Sequence, residues 1–190
     1  SSGPDGIPVS FLQEYKLALV KVLAILFKLL IESCKIPSDW KIANVTPIHK
    51  SGVSSEVSNY RAISLTSVFS KLFERLVNEK LLEYLLKNRL ITRQQHGFLS
   101  KLSTTTNLLE SVNDWSIIFR KKTCCRYYII DFAKAFDKVS HSKLIHKLRA
   151  YGIGDDIVNL IIDFVCNRFQ RVVLPDGQTS LKLVTCGIPQ

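Results

Sequence analysis

A short run of aromatic and β-branched residues is the sequence feature that most constrains this fold. The run Tyr127–Ile130 follows "CCR" and ends at the carboxylate of Asp131. Continuous apolar runs of this kind, rich in residues that favour strands, are typical of a strand buried inside a sheet. We therefore predict a buried strand that ends at Asp131 and holds its carboxylate at the rim of the sheet.

Helical and strand patterns surround this predicted strand. Apolar residues recur with helical spacing over residues 9–33, 67–88, 105–120, 142–150 and from about 155 onward. We expect the first of these helices to be mostly buried, and we expect Thr104 or Thr105 to cap the third. "WKIANVTPIHK" alternates as a strand does, and "QRVVL", "PDG" and "SLKLVT" together are typical of a hairpin. This order of elements predicts an α+β fold.

The chain is strongly basic. Lys and Arg total 26 against 16 acids, which gives a net charge of +10, and the cations are spread through both halves of the chain. Such an excess favours a polyanionic partner, with nucleic acid as the first candidate. A generic basic surface that maintains solubility is the alternative interpretation.

Cysteine and hydropathy patterns indicate the cellular compartment of such a chain. The five cysteines form no CxxC pair, so they predict neither a disulfide framework nor a zinc site and favour an intracellular setting. The long apolar stretch near the start is interrupted by lysines, and we expect no membrane segment.

The residues alone leave two roles open for Asp131. A carboxylate at the end of a buried strand is rigidly held, and Mg²⁺ prefers few, well-fixed oxygen ligands. The same position also suits an N-cap for the helix that follows.

Five segments resemble the motifs of one enzyme family, in the order and at the intervals of that family. "DFAKAFDKVSHSKLIHKL" resembles the first palm motif of reverse transcriptases, in particular those of non-LTR (LINE-like) retrotransposons and group II introns. "SSGPDGIP", "PIHKSG" with "NYRAISLTSVFSKLFERLVNEKL", "QHGFLSKLSTT" and "CGIPQ" resemble the other segments. The resemblance covers nearly the whole chain. It implies the fingers and first part of the palm of a right-hand polymerase, with helices and a small, incomplete antiparallel palm sheet.

The resemblance also implies a division of the chain and a set of functional residues. A fingers-like helical part would cover about residues 1–120, and the palm would begin at about 121–190. Asp131 would be catalytic and would bind metal together with the carbonyl oxygen of Phe132. The implied nucleotide contacts are Lys50, Arg61, Lys134, Ala135, Phe136 and Gln190. The implied template contacts are Gly97, Phe98 and Lys101.

Some of these residues keep a plainer alternative. Phe136 would exclude a 2′-hydroxyl as a steric gate, but without the motif it would be interpreted as a core aromatic. Lys50 also fits an ordinary surface charge. The chain departs from the family at Ala62, where proline is usual, and at Leu99 and Ser100, which replace Arg-Lys.

The function implied by the resemblance is RNA-directed DNA polymerisation with two Mg²⁺ ions. The partners would be an RNA template, a DNA primer and dNTPs. The protein would act in the nucleus if the element is active, and its oligomeric state is left open. The family's acidic pair would follow Gln190, so we expect the 190-residue piece alone to be inactive. The alternatives are a non-catalytic nucleic-acid-binding relic of a retroelement and a phosphotransferase, although Ala133 replaces the second acid that a phosphotransferase needs.

Overall fold

The described part of the chain combines helices with a small sheet. A computed structural model describes residues 2–122, 124 and 126–189 of the 190-residue chain. The α-helices of the described chain are α1 (Val9–Glu14), α2 (Lys16–Ser33), α3 (Val68–Lys87), α4 (Thr104–Arg120), α5 (His141–Ala150) and α6 (Asp155–Val165). Its strands are β1 (Ile42–His49), β2 (Tyr60–Leu65), β3 (Arg168–Leu174), β4 (Gly177–Gln178) and β5 (Lys182–Val184). The predicted α+β class is confirmed.

The sheet is built around β1, in the order β2-β1-β3-β4, and β5 also pairs with β3. β1 runs antiparallel to β2, with Ile48 opposite Arg61, and parallel to β3, with Ile42 opposite Phe169. The sheet is therefore mixed rather than antiparallel. A long connection that includes α5 and α6 precedes β3, and a connection of this length permits parallel pairing.

The chain divides into two compact units, residues 1–79 with 134–190 and residues 80–133. The core of the first unit is an aromatic and aliphatic cluster. The ring centroids of Phe27 and Phe73 lie 5.2 Å apart, and Trp40 meets Phe27 edge-on at 6.4 Å. Leu30, Ile36 and Leu160 complete the buried cluster. Parts of α2, α3 and α6 are thus packed together by large apolar side chains.

The first predicted helix differs from expectation in two ways. It is divided at Tyr15 into α1 and α2, and the buried residues of α2 are Phe27 and Leu30. Leu17 is 85% exposed. The expectation of a mostly buried helix is wrong because the core cluster contacts one face of α2. None of the helices in the described ranges is long and apolar enough for a membrane span.

The described residues before Asp131 do not form the strand that the sequence predicts there. Cys124 and residues 126–132 have no strand pairing, and Ile129 is 94% exposed. A strand requires a neighbour that accepts and donates its backbone hydrogen bonds, and none of the five described strands pairs with this segment. The expectation of a buried strand is therefore wrong for this structure.

The other predicted elements are confirmed. α3, α4, α5 and α6 cover the predicted helical ranges. β3 covers the predicted "QRVVL" strand and pairs antiparallel with β5, which lies within the predicted "SLKLVT" strand, while the short β4 pairs with β3 across Pro175 and Asp176. The cap of α4 is Ser103 rather than a threonine of the following triplet. Its hydroxyl accepts a hydrogen bond from the Thr106 N–H, while the Thr106 side chain accepts from the Ser103 N–H in a capping box.

Asp163 on α6 holds the segment that leads into β1. Its carboxylate accepts hydrogen bonds from the Lys41 ammonium at 2.9 Å and from the Ile36 N–H at 2.7 Å, and the Lys35 ammonium lies 3.7 Å away. Burial alone would raise the pKa of Asp163. The hydrogen bonds from Lys41 and Ile36 and the charges of Lys41 and Lys35 outweigh burial and lower the pKa below its usual value.

We predict that Asp163→Asn lowers the free energy of unfolding by roughly 2 kcal/mol at pH 7, because the partly buried ammonium of Lys41 loses its counter-charge. The depressed pKa means that the carboxylate stabilises the fold above pH 3.8 and that this contribution is lost as the pH falls through the lower folded value. Urea unfolding at pH 7 and at about pH 2 should therefore show a difference between wild type and variant that shrinks in acid. The control is Asn in place of the exposed Asp39. If wild type and Asp163→Asn differed in free energy of unfolding by the same amount at both pH values, the depressed pKa of Asp163 would be contradicted.

Candidate active site

The C-terminal segment 186–189 is bonded through its backbone to the turn that contains Phe136. In the unit formed by residues 1–79 and 134–190, the Ile188 N–H donates to the Phe136 carbonyl at 3.1 Å. The Gly187 N–H donates to the Val139 carbonyl at 2.9 Å, and the Cys186 thiol donates to the Asp137 carbonyl at 3.4 Å. The "CGIP" segment and the "AFDKV" segment are therefore joined by hydrogen bonds.

Gly187 is required for this close approach. Its φ is +85°, and a Cβ atom built there would lie 2.8 Å from the Asp137 carbonyl oxygen and 2.9 Å from the Asp137 Cα. A left-handed backbone disfavours residues with a side chain, and backbone atoms at this distance leave no space for one. Glycine thus allows the segment to lie directly against the turn.

A cavity of about 380 Å³ opens beside this arrangement. Ala43, Ala62 and Ser64 line it from β1 and β2, and Asp137 and residues 186–189 line it from the other segments. Arg168, Phe169, Gln170 and residues 183–185 complete the lining. Small-molecule sites have volumes of roughly 300–1,000 Å³, so the cavity is large enough for part of a nucleotide.

Arg168 is a buried cation at the start of β3. It is 2% exposed, its Nη1 donates to the Phe164 carbonyl at 3.2 Å, and its guanidinium lies 4.5 Å from the centre of the Phe164 ring. Its Nη2 has no hydrogen-bond partner within the described ranges. Burial lowers the pKa of Arg168, and the nearby charge of Glu74 opposes this effect. A buried cation therefore supports one wall of the cavity.

Glu74 on α3 is the acidic counterpart of Arg168. Burial raises the pKa of Glu74, and a hydrogen bond from the Ser70 hydroxyl at 2.8 Å, with the charges of Arg168 and Lys71, partly offsets this rise. The carboxyl group thus faces opposing effects of low solvation and nearby positive charge. Ser70 and Glu74 are thus hydrogen-bonded within α3, and the Glu74 carboxyl group interacts with Arg168 on β3 through its charge.

The two predicted phosphate contacts of the fingers lie at one end of the β1–β2 hairpin. Arg61 is opposite Ile48, and the Lys50 N–H donates to the Asn59 carbonyl at 2.8 Å immediately beyond β1. Both cationic side chains are exposed. An arginine guanidinium and a lysine ammonium at one hairpin end provide donors of the kind that bind phosphate oxygens.

Asp131 and Phe132 belong to the unit of residues 80–133, and both are exposed. The alternative role of Asp131 as a helix N-cap is wrong, because α5 is the next helix and its cap is Ser140. Among the described residues, no group of three or more His, Cys, Asp or Glu is arranged to hold a metal ion. Mg²⁺ needs only one or two carboxylates and takes its other ligands from water and phosphate, so exposed Asp131 fits part of such a site.

The remaining predicted nucleotide contacts follow directly along the chain. Lys134 and Ala135 are exposed, Lys134 has a φ of +55°, and Phe136 is half-buried. Their segment ends in the turn that bonds to residues 186–189. Gln190, the last predicted contact, lies outside the described residues.

The predicted template contacts form an exposed loop that is anchored by His96. Gly97 and Lys101 are exposed and Phe98 is 87% exposed, while His96 is buried. The two ring nitrogens of His96 lie 2.8 Å from the Thr106 hydroxyl and 3.1 Å from a Glu110 carboxylate oxygen on α4. The sequence pattern alone did not indicate that His96 holds this loop to α4.

Residues 48–190 match the family described as reverse transcriptase (RNA-dependent DNA polymerase). The whole chain is 31% identical over 191 residues to the probable RNA-directed DNA polymerase from transposon BS of Drosophila melanogaster. Over 172 residues, 90% of the chain, it is 27% identical to the RNA-directed DNA polymerase from mobile element jockey of the same fly. Over 158 residues, 82% of the chain, it is 28% identical to the retrovirus-related Pol polyprotein from type-1 retrotransposable element R2 of Popillia japonica.

This chain belongs to the reverse transcriptase family, and the resemblance to enzymes of non-LTR retrotransposons is confirmed. The chain spans about a fifth of the length of the curated relatives it matches.

We predict that Gly187→Ala lowers the free energy of unfolding by about 2–4 kcal/mol. The left-handed backbone and the overlap with Asp137 both oppose a methyl group at this position. Gly97→Ala is the matched control, since a Cβ there meets nothing within 4 Å. Chemical denaturation of both variants measures the difference, and equal stabilities would show that the close approach is not a constraint.

Proposed function

We propose that the full-length protein containing this chain is an RNA-directed DNA polymerase that extends a DNA primer with dNTPs on an RNA template. Membership of the reverse transcriptase family supports this proposal. The observation that carries it is the bonding of segment 186–189 to the Phe136 turn beside the 380 Å³ cavity. This arrangement joins two segments that the family motifs assign to nucleotide binding.

In this proposal Asp131 and the Phe132 carbonyl hold divalent metal, and the complete enzyme uses two Mg²⁺ ions. Bound metal ions stabilise the attacking and leaving oxygens of an in-line displacement. Lys50 and Arg61 bind the triphosphate from the hairpin, where their charges neutralise phosphate oxygens. The backbone of Lys134 and Ala135 approaches the same triphosphate.

The sugar and base contacts come from other residues. Phe136 packs under the sugar and leaves no space for a 2′-hydroxyl, and Gln190 contacts the nucleotide through its amide. The loop of Gly97, Phe98 and Lys101 contacts the template, where an exposed aromatic ring can stack on a base. The division into fingers over about residues 1–120 and palm over about 121–190 remains a prediction, as does a nuclear site of action.

We predict that Asp131→Ala in the full-length protein abolishes primer extension, with a loss of roughly a thousandfold or more, because a metal-binding carboxylate is removed. The measurement is incorporation of dNTPs on a primed RNA template in Mg²⁺ buffer. Asp176→Ala, in the exposed β3–β4 turn, is the control and should retain full activity. Activity within a few-fold of wild type would remove Asp131 from the site, and an inactive wild type would favour the non-catalytic relic.

We predict that Phe136→Val lowers the discrimination between dNTPs and rNTPs by roughly tenfold or more, because a smaller side chain leaves space for the 2′-hydroxyl. Single-nucleotide incorporation kinetics with each nucleotide give the two kcat/KM values. Phe119→Val, on the exposed face of α4, is the control. Unchanged sugar selectivity would show that the Phe136 ring serves packing alone.

A further inference from the structure

The His141 side chain reaches across to the segment 186–189. Its Nε2 lies 2.7 Å from the Gly187 carbonyl oxygen. A carbonyl oxygen only accepts hydrogen bonds, so Nε2 carries the proton and donates it. His141 is the first residue of α5 and is half-buried. The bond therefore connects the start of a helix to a loop 46 positions away in the sequence.

The imidazole of His141 is held in position because the helix that carries it is capped. Ser140 caps α5 by accepting a hydrogen bond from the Lys143 N–H at 3.4 Å, and its hydroxyl also lies 3.0 Å from the Ser142 hydroxyl. The helix that begins at His141 continues to Ala150. A side chain on a capped helix is more precisely placed than one on a free loop.

The bond from His141 adds to two backbone hydrogen bonds that already constrain segment 186–189. The Gly187 and Ile188 N–H groups donate to the Val139 and Phe136 carbonyls, which fixes one edge of the segment. The bond from His141 fixes the Gly187 carbonyl and completes the orientation of that peptide. Ile188 and Pro189 then lead directly to position 190.

We propose that His141 is a positioning residue for nucleotide binding. By holding the Gly187 carbonyl, it sets the distance between the Phe136 backbone and the segment that leads to Gln190. This inference rests on the proposed polymerase function, since it assigns Phe136 and Gln190 to the bound nucleotide. His141 itself does not contact the nucleotide in this proposal.

Three variants in the full-length protein test the role. His141→Asn removes the donor, because the asparagine amide lies nearer the backbone than Nε2 does, whereas His141→Gln places an amide donor near the Nε2 position. His146→Asn, on the exposed face of α5, is the matched control. We expect the Asn variant at 141 to raise the KM for dNTPs roughly tenfold with kcat little changed, and the Gln variant to stay within about threefold of wild type.

A second measurement does not depend on activity. Hydrogen–deuterium exchange at the Gly187 and Ile188 amides should be faster in His141→Asn and unchanged in His146→Asn, because loss of the side-chain bond loosens the segment. If His141→Asn does not fold, His141→Ala replaces it in the KM measurement and in the exchange measurement.

The results separate this inference from the proposed function. Unchanged exchange in the variants that lack the donor overturns the inference, whether or not the enzyme is active. Faster exchange with an unchanged KM also overturns it, since the bond would then be structural alone. A wild-type protein that synthesises no DNA refutes the polymerase proposal, while the exchange data still report the bond.

Discussion

The parallel pairing of β1 with β3 is the interaction on which the described site depends. It joins residues far apart in the sequence, and the Arg171 guanidinium strengthens it by donating to the Asn44 side-chain oxygen at 2.9 Å across 127 positions. β1 also carries the hairpin with Lys50 and Arg61, while β3 leads through β5 to segment 186–189. Without this pairing, the cavity would lose the wall that Ala43 and Ala62 provide.

The second constraint is steric and acts on the backbone. Gly187 allows segment 186–189 to lie against Asp137, and hydrogen bonds from Gly187 and Ile188 then hold it to the Phe136 turn. These contacts are directional and short, so they define the geometry of a site more narrowly than apolar packing does. The sheet brings the segments near one another, and the hydrogen bonds determine how they meet.

Much of the fold could be predicted from sequence because most elements carry a local pattern. The helices α3 to α6 and the β3–β4 hairpin follow hydrophobic periodicity and turn chemistry, which act within a few residues. The errors concern burial and pairing. The apolar run before Asp131 has the composition of a buried strand but no partner among the described strands, and α2 is apolar on faces that nothing in the described core covers. The hydrophobic pattern of a segment shows which side chains could be buried, but burial occurs only where another element packs against them.

The sequence by itself determined the helical segments, the basic charge and the family motifs, since these depend on residue type and spacing along the chain. It placed Phe136, Arg61 and the "CGIP" segment in motifs but could not place them in space. Only the tertiary structure decided that β1 runs parallel to β3, that His96 is buried beneath an exposed loop, and that His141 bonds to Gly187. These features arise from contacts between residues distant in sequence, and such contacts leave no local periodic pattern.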